Sequence, residues 1–131
     1  MNIHEASLFT HKLASQVQVH NDVEVVLAPT MLALQSIALQ ADHRQFKLAA
    51  QNFYWRDHGA YTGEVSANQL RGLVKYGLVG HSERRHIFNE HGRDLRHKVQ
   101  AAFRNQFIPV LCIGETAQER AAGETKEVLH D

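Results

Sequence analysis

Four short apolar segments, each followed by a stretch with helical character, constrain the fold of this 131-residue chain more than any other feature. In chain order the segments are Val23–Ala28, Phe46–Ala50, Tyr76–Val79 and Phe107–Ile113. Nearly continuous apolar runs of this length are typical of parallel strands that are buried on both faces. Strands that alternate with helices form parallel sheets with right-handed crossovers. The sequence therefore predicts an α/β fold with about four parallel strands and flanking helices.

The stretches between these segments carry the signals of helices. Helices are predicted at Asn2–Gln18, at Met31–Ala41, at Asn89–Gln106 and from Thr116 to the end of the chain. Their starts are marked by the N-cap residues Asn2 and Thr30 and by the capping-box sequences Ser66–Gln69 and Thr116–Glu119. On helix 89–106 the apolar residues at helical spacing are Leu95, Val99, Ala102 and Phe103. We expect this stripe to be buried, and we expect Gly123 to weaken the last helix by about 1 kcal/mol.

Composition narrows the functional classes. The chain has 14 acidic and 14 basic residues, and a net charge of zero argues against a nucleic-acid partner, which needs a basic face. No apolar run approaches the length of a membrane span, and the first residues lack a signal-peptide pattern. The single cysteine, Cys112, cannot form an internal disulfide, which suits the reducing cytoplasm. The histidines lack the spacing of a known zinc motif, so no metal site is predicted.

The strongest chemical signal follows the third apolar segment. Gly80 permits a sharp turn, so we expect His81 at the carboxyl end of strand 76–79 and the beginning of a helical turn at Ser82–Arg85. The N-terminus of a helix disfavours a positive charge and would keep the imidazole neutral. A neutral imidazole that donates an N–H group can polarise a carbonyl oxygen. The alternative interpretation is a polar turn with a solvated charge run.

Polar residues also follow the neighbouring strands. Gln51 and Asn52 come directly after Phe46–Ala50, and Gly114–Glu115 follows Phe107–Ile113. Ligands of parallel α/β sheets bind at the carboxyl ends of the strands. Because these polar residues converge with His81 at one edge of the predicted sheet, the functional interpretation of His81 is favoured over the polar turn.

Five motifs resemble the triosephosphate isomerase family, in the family's order and close to its spacing. They are Val25–Pro29, Lys47–Asn52, Tyr61–Ser66, Tyr76–Arg85 and Pro109–Thr116. The succession YTGEVS, GHSERR and PVLCIGE is highly specific, and the resemblance covers essentially the whole chain. It implies that residues 1–131 form a single, incomplete domain, a partial TIM (β/α)8 barrel.

The resemblance also implies an activity. Members of the family interconvert D-glyceraldehyde 3-phosphate and dihydroxyacetone phosphate through an enediolate, in glycolysis and gluconeogenesis, without a cofactor or metal. His81 would be the electrophile, a role that is a known example in this family rather than a deduction from this sequence. Glu83 would be the supporting acid that pairs with a lysine in the family. Gln51, Asn52, Ser82 and Cys112 would lie near the site, although Cys112 can equally be a small core residue.

A subunit interface is implied as well. Family members are homodimers in which the loop that contains YTGEVS inserts into a pocket beside the partner's active site. Thr62 would be the tip of this loop, next to Gly63, and Glu64 would pair with Arg84 across the interface. The longer stretch Phe53–Glu64 has four aromatic residues, and loops with that much apolar surface usually bury it against something.

Several family residues have no counterpart in these 131 residues. They are the catalytic glutamate, the Asn and Lys substrate ligands, the lid and the glycine-rich phosphate site. The family's barrel takes about 250 residues, so we expect a truncated or fragmentary copy of an isomerase that is inactive alone and marginally stable, with open edges at Val23–Ala28 and Phe107–Ile113. Two alternatives are a non-catalytic fragment that docks on a full-length isomerase through loop 53–64, and a half that assembles with a separately encoded second half.

Overall fold

The computed structural model describes residues 1–130, and within them helices and strands alternate along the chain. The elements are α1 (Ile3–Ala14), β1 (Val25–Leu27), α2 (Met31–Gln40), β2 (Phe46–Ala50), α3 (Ala67–Leu70), β3 (Tyr76–Val79), α4 (Ser82–His86), α5 (Gly92–Arg104), β4 (Ile108–Leu111), α6 (Ala117–Ala122) and α7 (Thr125–His130). None of the helices in residues 1–130 has the length and apolar character needed to cross a membrane.

The four strands form one sheet in the order β1-β2-β3-β4, and every neighbouring pair is parallel. The predicted α/β fold with four parallel strands and flanking helices is therefore confirmed. Since all four strands run in the same direction, their carboxyl ends lie at one edge of the sheet. This arrangement brings the loops after β1, β2, β3 and β4 to the same side of the molecule.

Strands β2 and β3 have the predicted bounds, but the two outer strands are shorter than predicted. β1 covers only Val25–Leu27 and β4 only Ile108–Leu111. An outer strand has a hydrogen-bonding neighbour on one side alone, so its regular part ends where that neighbour ends. The pairing agrees with this at the start of β1, where Val25 lies opposite Phe46, the first residue of β2, and at both ends of β4, which pairs with the whole of β3.

Helix α1 begins as predicted and ends early. The Asn2 side chain accepts from the backbone N–H of Glu5 at 2.8 Å, and the Glu5 carboxylate accepts from the backbone N–H of Asn2 at 2.9 Å. The helix ends at Ala14 rather than at Gln18, and the side-chain amide of Gln45 donates to the freed carbonyl of Ala14 at 2.8 Å. Both predicted capping boxes, at Ser66 and at Thr116, are present.

Three other helix predictions are corrected. Thr30 precedes α2 but makes no capping hydrogen bond with its side chain. Helix α5 begins at Gly92 rather than at Asn89, because Asn89 has a positive φ of 53° that a helix cannot continue through. The predicted last helix is two helices, since Gly123 adopts the left-handed conformation and ends α6. The predicted end of that helix, at the last residue, lies outside the described residues.

The core lies between the helices and one face of the sheet. Its largest fully buried apolar side chains are Phe46, Phe53, Phe107, Leu34, Ile37, Leu48, Leu70 and Val79. On α5, Leu95 and Ala102 are buried as predicted and Val99 packs against the core, but Phe103 is 66% exposed. The buried face of α5 includes Lys98 and Ala101 instead of Phe103. The prediction that Phe103 is buried was therefore wrong.

Candidate active site

His81 lies directly after β3, at the start of the short helix α4. Gly80 makes the predicted turn with a φ of 73°, and a Cβ atom there would lie 2.8 Å from the guanidinium group of Arg85. The backbone N–H of Glu83 donates to Nδ1 of His81 at 3.3 Å, so the imidazole is the N-cap of α4. In the neutral ring this bond places the hydrogen on Nε2. The free donor of His81 is therefore Nε2–H.

The carboxyl ends of β1, β2 and β3 enclose a pocket of about 380 Å³. Its lining consists of Ala28, Gln51, Asn52, Leu78, His81, Glu83, Arg84 and Phe88. Gln51 donates from its side-chain amide to the carbonyl of Ala28 at 2.8 Å, which joins β2 to β1 at the pocket edge. The predicted meeting of Gln51 and Asn52 with His81 and Glu83 is thus present in the structure.

Ser82 and Cys112 lie on the other side of the imidazole. They line a separate cavity of about 270 Å³ together with Arg85, and His81 borders both cavities. Nε of Arg85 donates to the carbonyl of Gly80 at 2.6 Å, and its terminal nitrogen donates to the carbonyl of Cys112 at 2.8 Å. The Arg85 side chain thus adds to the backbone hydrogen bond from the N–H of Cys112 to the carbonyl of Val79, which joins the ends of β3 and β4.

Glu83 is exposed and close to His81. Its carboxylate oxygen lies 3.8 Å from Nδ1 of the imidazole. Within the described part of the chain, no lysine forms an ion pair with this carboxylate. The supporting role of Glu83 stays a prediction.

Behind the pocket lies a buried charge network that sequence reasoning missed. Nε of Arg84 donates to Oε2 of Glu90 at 2.8 Å, and Oε1 of Glu90 lies 2.6 Å from the Nζ atom of Lys98. Nζ of Lys98 also lies 2.6 Å from Oδ1 of Asn52. The contact between Lys98 and Oε1 of Glu90 is an ion pair without hydrogen-bond geometry. Within residues 1–130 this oxygen has no hydrogen-bond partner. The network fixes two residues of the pocket, Asn52 and Arg84.

Burial sets the electrostatics of this network. It lowers the pKa of the Lys98 ammonium, although the neighbouring Glu90 carboxylate acts in the opposite direction. Nearby Arg84, a like charge, lowers the pKa of Lys98 further. The signal in the sequence was the position of Lys98, three residues after Leu95 and four before Ala102 on the buried stripe of α5.

The loop Phe53–Glu64 lies between β2 and α3, and its tip is exposed. Thr62, Gly63 and Glu64 are all exposed, and Gly63 has a φ of 90°. Within the chain Arg84 pairs with Glu90, and its predicted partner in another subunit, Glu64, stays a prediction. No set of three side chains able to hold a metal ion is found in residues 1–130.

Comparison with known proteins shows which proteins the chain is similar to. A family model described as triosephosphate isomerase matches residues 1–131. The chain is 42% identical to the triosephosphate isomerase of Alkaliphilus metalliredigens strain QYMF over 126 residues. These residues cover 95% of the chain and 50% of that protein.

Two further relatives agree with this match. The triosephosphate isomerase of Moorella thermoacetica is 44% identical over 107 residues, which cover 81% of the chain and 43% of that protein. That of Clostridium acetobutylicum is 46% identical over 106 residues, which cover 80% of the chain and 43% of that protein. The chain spans about half the length of the curated relatives it matches.

Proposed function

The chain belongs to the triosephosphate isomerase family, and we propose that it supplies the carbonyl-polarising part of a triose phosphate isomerase site. The substrates are D-glyceraldehyde 3-phosphate and dihydroxyacetone phosphate, and the reaction serves glycolysis and gluconeogenesis. The fold agrees with this family, because four parallel strands alternating with helices are consistent with part of a TIM barrel.

One observation carries the proposal, the hydrogen bond from the backbone N–H of Glu83 to Nδ1 of His81. It leaves Nε2–H as the donor toward a substrate carbonyl in the pocket. When a base removes the proton from the carbon beside that carbonyl, the electron pair moves toward the oxygen. The donor stabilises the negative charge of the resulting enediolate, and an interaction that strengthens as charge develops accelerates the reaction.

The proposal includes inactivity of the 131-residue chain by itself. The family's catalytic glutamate, phosphate-binding loops and Asn and Lys substrate ligands have no counterpart in these residues. Without a base the carbon-bound proton is not transferred, and without the phosphate contacts the substrate is not held in place. Polarisation by His81 alone does not replace these two contributions.

A chimera tests the proposal. Residues 1–131 replace the matching half of the Alkaliphilus metalliredigens isomerase, and a coupled assay measures turnover. We expect an active chimera in which His81→Gln lowers kcat about 100- to 1,000-fold, whereas His11→Gln, on the exposed side of α1, has no effect. An active chimera that is insensitive to His81→Gln contradicts the role of His81. Turnover by the 131-residue chain that His81→Gln abolishes contradicts the proposed inactivity.

A second function is favoured by the exposed tip of loop 53–64. We propose that the chain docks on another triosephosphate isomerase chain, a second copy or a full-length enzyme, through Thr62, Gly63 and Glu64, which are exposed. Arg84 is the proposed partner of Glu64 across that interface. Co-purification with a full-length isomerase should be lost in Thr62→Arg and kept in Asn21→Arg, an exposed turn position.

The proposed compartment is the cytoplasm. Cys112 is the single cysteine and is free, and a chain without an internal disulfide is compatible with a reducing environment. Fluorescence microscopy of the tagged chain in its own cells would test this, and a signal confined to another compartment would contradict it.

A further inference from the structure

Starting from the docking role proposed above, we infer that loop 53–64 is folded into its docking shape before any partner binds. Two features outside the loop tip hold it, and both attach it to helix α5. One is a polar anchor at Asp57, and the other is a stack of rings that begins at Trp55. The partner is another chain of the same family, and the loop meets it as a rigid body.

The polar anchor joins Asp57 to the end of α5 by three hydrogen bonds. Arg104 donates from Nε to Oδ2 at 2.8 Å and from its terminal nitrogen to Oδ1 at 3.2 Å. Asn105 donates from its side-chain amide to Oδ1 at 2.9 Å. Asn105 is itself buried and donates to the carbonyl of Ala101 at 2.9 Å, so the anchor is attached to a fixed part of the fold. Bidentate arginine–carboxylate contacts are geometrically specific, and they restrict the orientation of both groups.

The ring stack extends from α5 to the loop tip. The ring of Trp55 stacks on that of His97 with centroids 5.7 Å apart and an interplanar angle of 24°. The ring of Tyr54 lies 4.3 Å from that of Trp55 and 4.6 Å from that of Tyr61. Gly59 allows this packing, because a Cβ atom there would lie 2.6 Å from the ring of Tyr61. Tyr61 directly precedes the tip residue Thr62, so the stack supports the tip.

The backbone of the loop is closed at its base. The N–H of Tyr54 donates to the carbonyl of Val65 at 2.8 Å, and the N–H of Ala67 donates to the carbonyl of Tyr54 at 3.0 Å. Arg104 also donates to the backbone carbonyl of Trp55 at 2.9 Å. The N–H of Glu64 donates to the carbonyl of Tyr61 at 3.0 Å, which shapes the tip. Base, middle and tip are thus fixed by contacts within one chain.

A loop that is ordered beforehand loses less conformational entropy when it binds. The tip residues Thr62, Gly63 and Glu64 are exposed and take part in none of the contacts of Asp57 or of the ring stack, so their side chains are free to contact a partner. The anchoring residues and the contacting residues are therefore different. A change in the anchor should weaken docking without touching the contact surface.

The fluorescence of the chain reports on this loop without any label, because Trp55 is the single tryptophan. In the free chain we expect slow hydrogen exchange at the amides of Tyr54 and Glu64 and restricted access of acrylamide to Trp55. In Asp57→Ala, loop exchange and acrylamide quenching should increase, exchange by about 10-fold or more. Exchange at Ala49 and Val79, in β2 and β3, should stay unchanged. Asp42→Ala removes a similar arginine contact away from the loop and is the matched control.

Binding to a full-length isomerase is then measured for the same proteins. We expect Asp57→Ala to weaken the Kd by about 10-fold, and Arg104→Gln, which keeps Asp57, to do the same. Loop amides that exchange as fast as in an unfolded peptide, in the free wild-type chain, overturn the inference. Equal affinity of the loosened variants and the wild type overturns it as well. Absence of binding by the wild type, with loop amides protected, instead overturns the proposed docking function.

Discussion

Nζ of Lys98 lies 2.6 Å from Oε1 of Glu90, and both side chains are only 4% exposed. Removing one partner of a buried pair leaves an uncompensated charge in the interior, which costs about 3–5 kcal/mol. Glu90 keeps its contact with Arg84, so the lower end of that range applies. We expect Lys98→Met to reduce the free energy of unfolding by about 3 kcal/mol, measured by urea denaturation.

A double substitution separates charge from packing in this pair. Lys98→Met combined with Glu90→Gln removes both charges, so its cost should be smaller than the sum of the two single costs. Lys12→Met, on the exposed side of α1, should leave the urea midpoint unchanged. A midpoint for Lys98→Met that equals the wild-type value would show that the pair contributes nothing.

Gly77 lies in β3 where two aromatic rings leave no room for a side chain. A Cβ atom there would lie 2.6 Å from the ring of Phe53 and 2.7 Å from that of Phe107. These rings pack edge to face with centroids 5.0 Å apart. We expect Gly77→Ala to destabilise the chain by about 1–3 kcal/mol through overpacking, measured as a shift in Tm. Gly114→Ala, where a Cβ atom meets nothing within 4 Å, should have little effect.

Acid should release the anchor of loop 53–64. The hydrogen bonds from Arg104, and to a lesser degree from Asn105, lower the pKa of Asp57 below its ordinary value of 3.8. A carboxylate with a depressed folded pKa stabilises the folded state above its unfolded pKa, and this contribution is lost as the pH falls through the folded pKa. The stability difference between the wild type and Asp57→Asn should therefore be constant near neutral pH and shrink below about pH 3.8.

Urea denaturation between pH 2 and pH 7 measures this difference, and Trp55 fluorescence follows the loop in parallel. Asp22→Asn, in an exposed turn, is the control. A difference that grows as the pH falls would mean that Asp57 is not stabilised as a carboxylate.

The outer strand β4 should promote self-association. Its residue Val110 is 40% exposed, and β4 is the last strand of the sheet. A lysine on an outer strand opposes pairing with another chain. We expect Val110→Lys to reduce the concentration-dependent increase in mass seen by light scattering, and Val19→Lys, an exposed position outside the sheet, to leave it unchanged. Equal association of Val110→Lys and the wild type would place the contact elsewhere.

The sequence was sufficient for the elements that depend on local patterns. The bounds of β2 and β3 were predicted because both strands have a neighbour on each side, so the apolar run and the paired segment coincide. The convergence of Gln51, Asn52 and His81 followed from parallel topology alone. The early end of α1 was not predictable from local patterns, because the Gln45 side chain that satisfies the carbonyl of Ala14 lies 31 residues away along the chain.

The charge network and the loop anchor also lay beyond sequence reasoning. Periodicity treats a lysine as a solvent-facing residue, so Lys98 was left out of the buried stripe that contains Leu95. Asp57 and Arg104 are 47 residues apart, and no spacing rule connects them. The proposed catalytic and interface roles of the motif residues rest on family resemblance alone.

The guanidinium group of Arg85 bridges the carbonyls of Gly80 and Cys112. These two hydrogen bonds add to the backbone hydrogen bond from the N–H of Cys112 to the carbonyl of Val79 at 2.9 Å, which already joins the ends of the two strands. His81 directly follows Gly80, so the orientation of its ring depends on the position of β4. The orientation of the proposed electrophile therefore depends in part on Arg85, a residue of the same motif that attaches the end of its strand to the neighbouring strand.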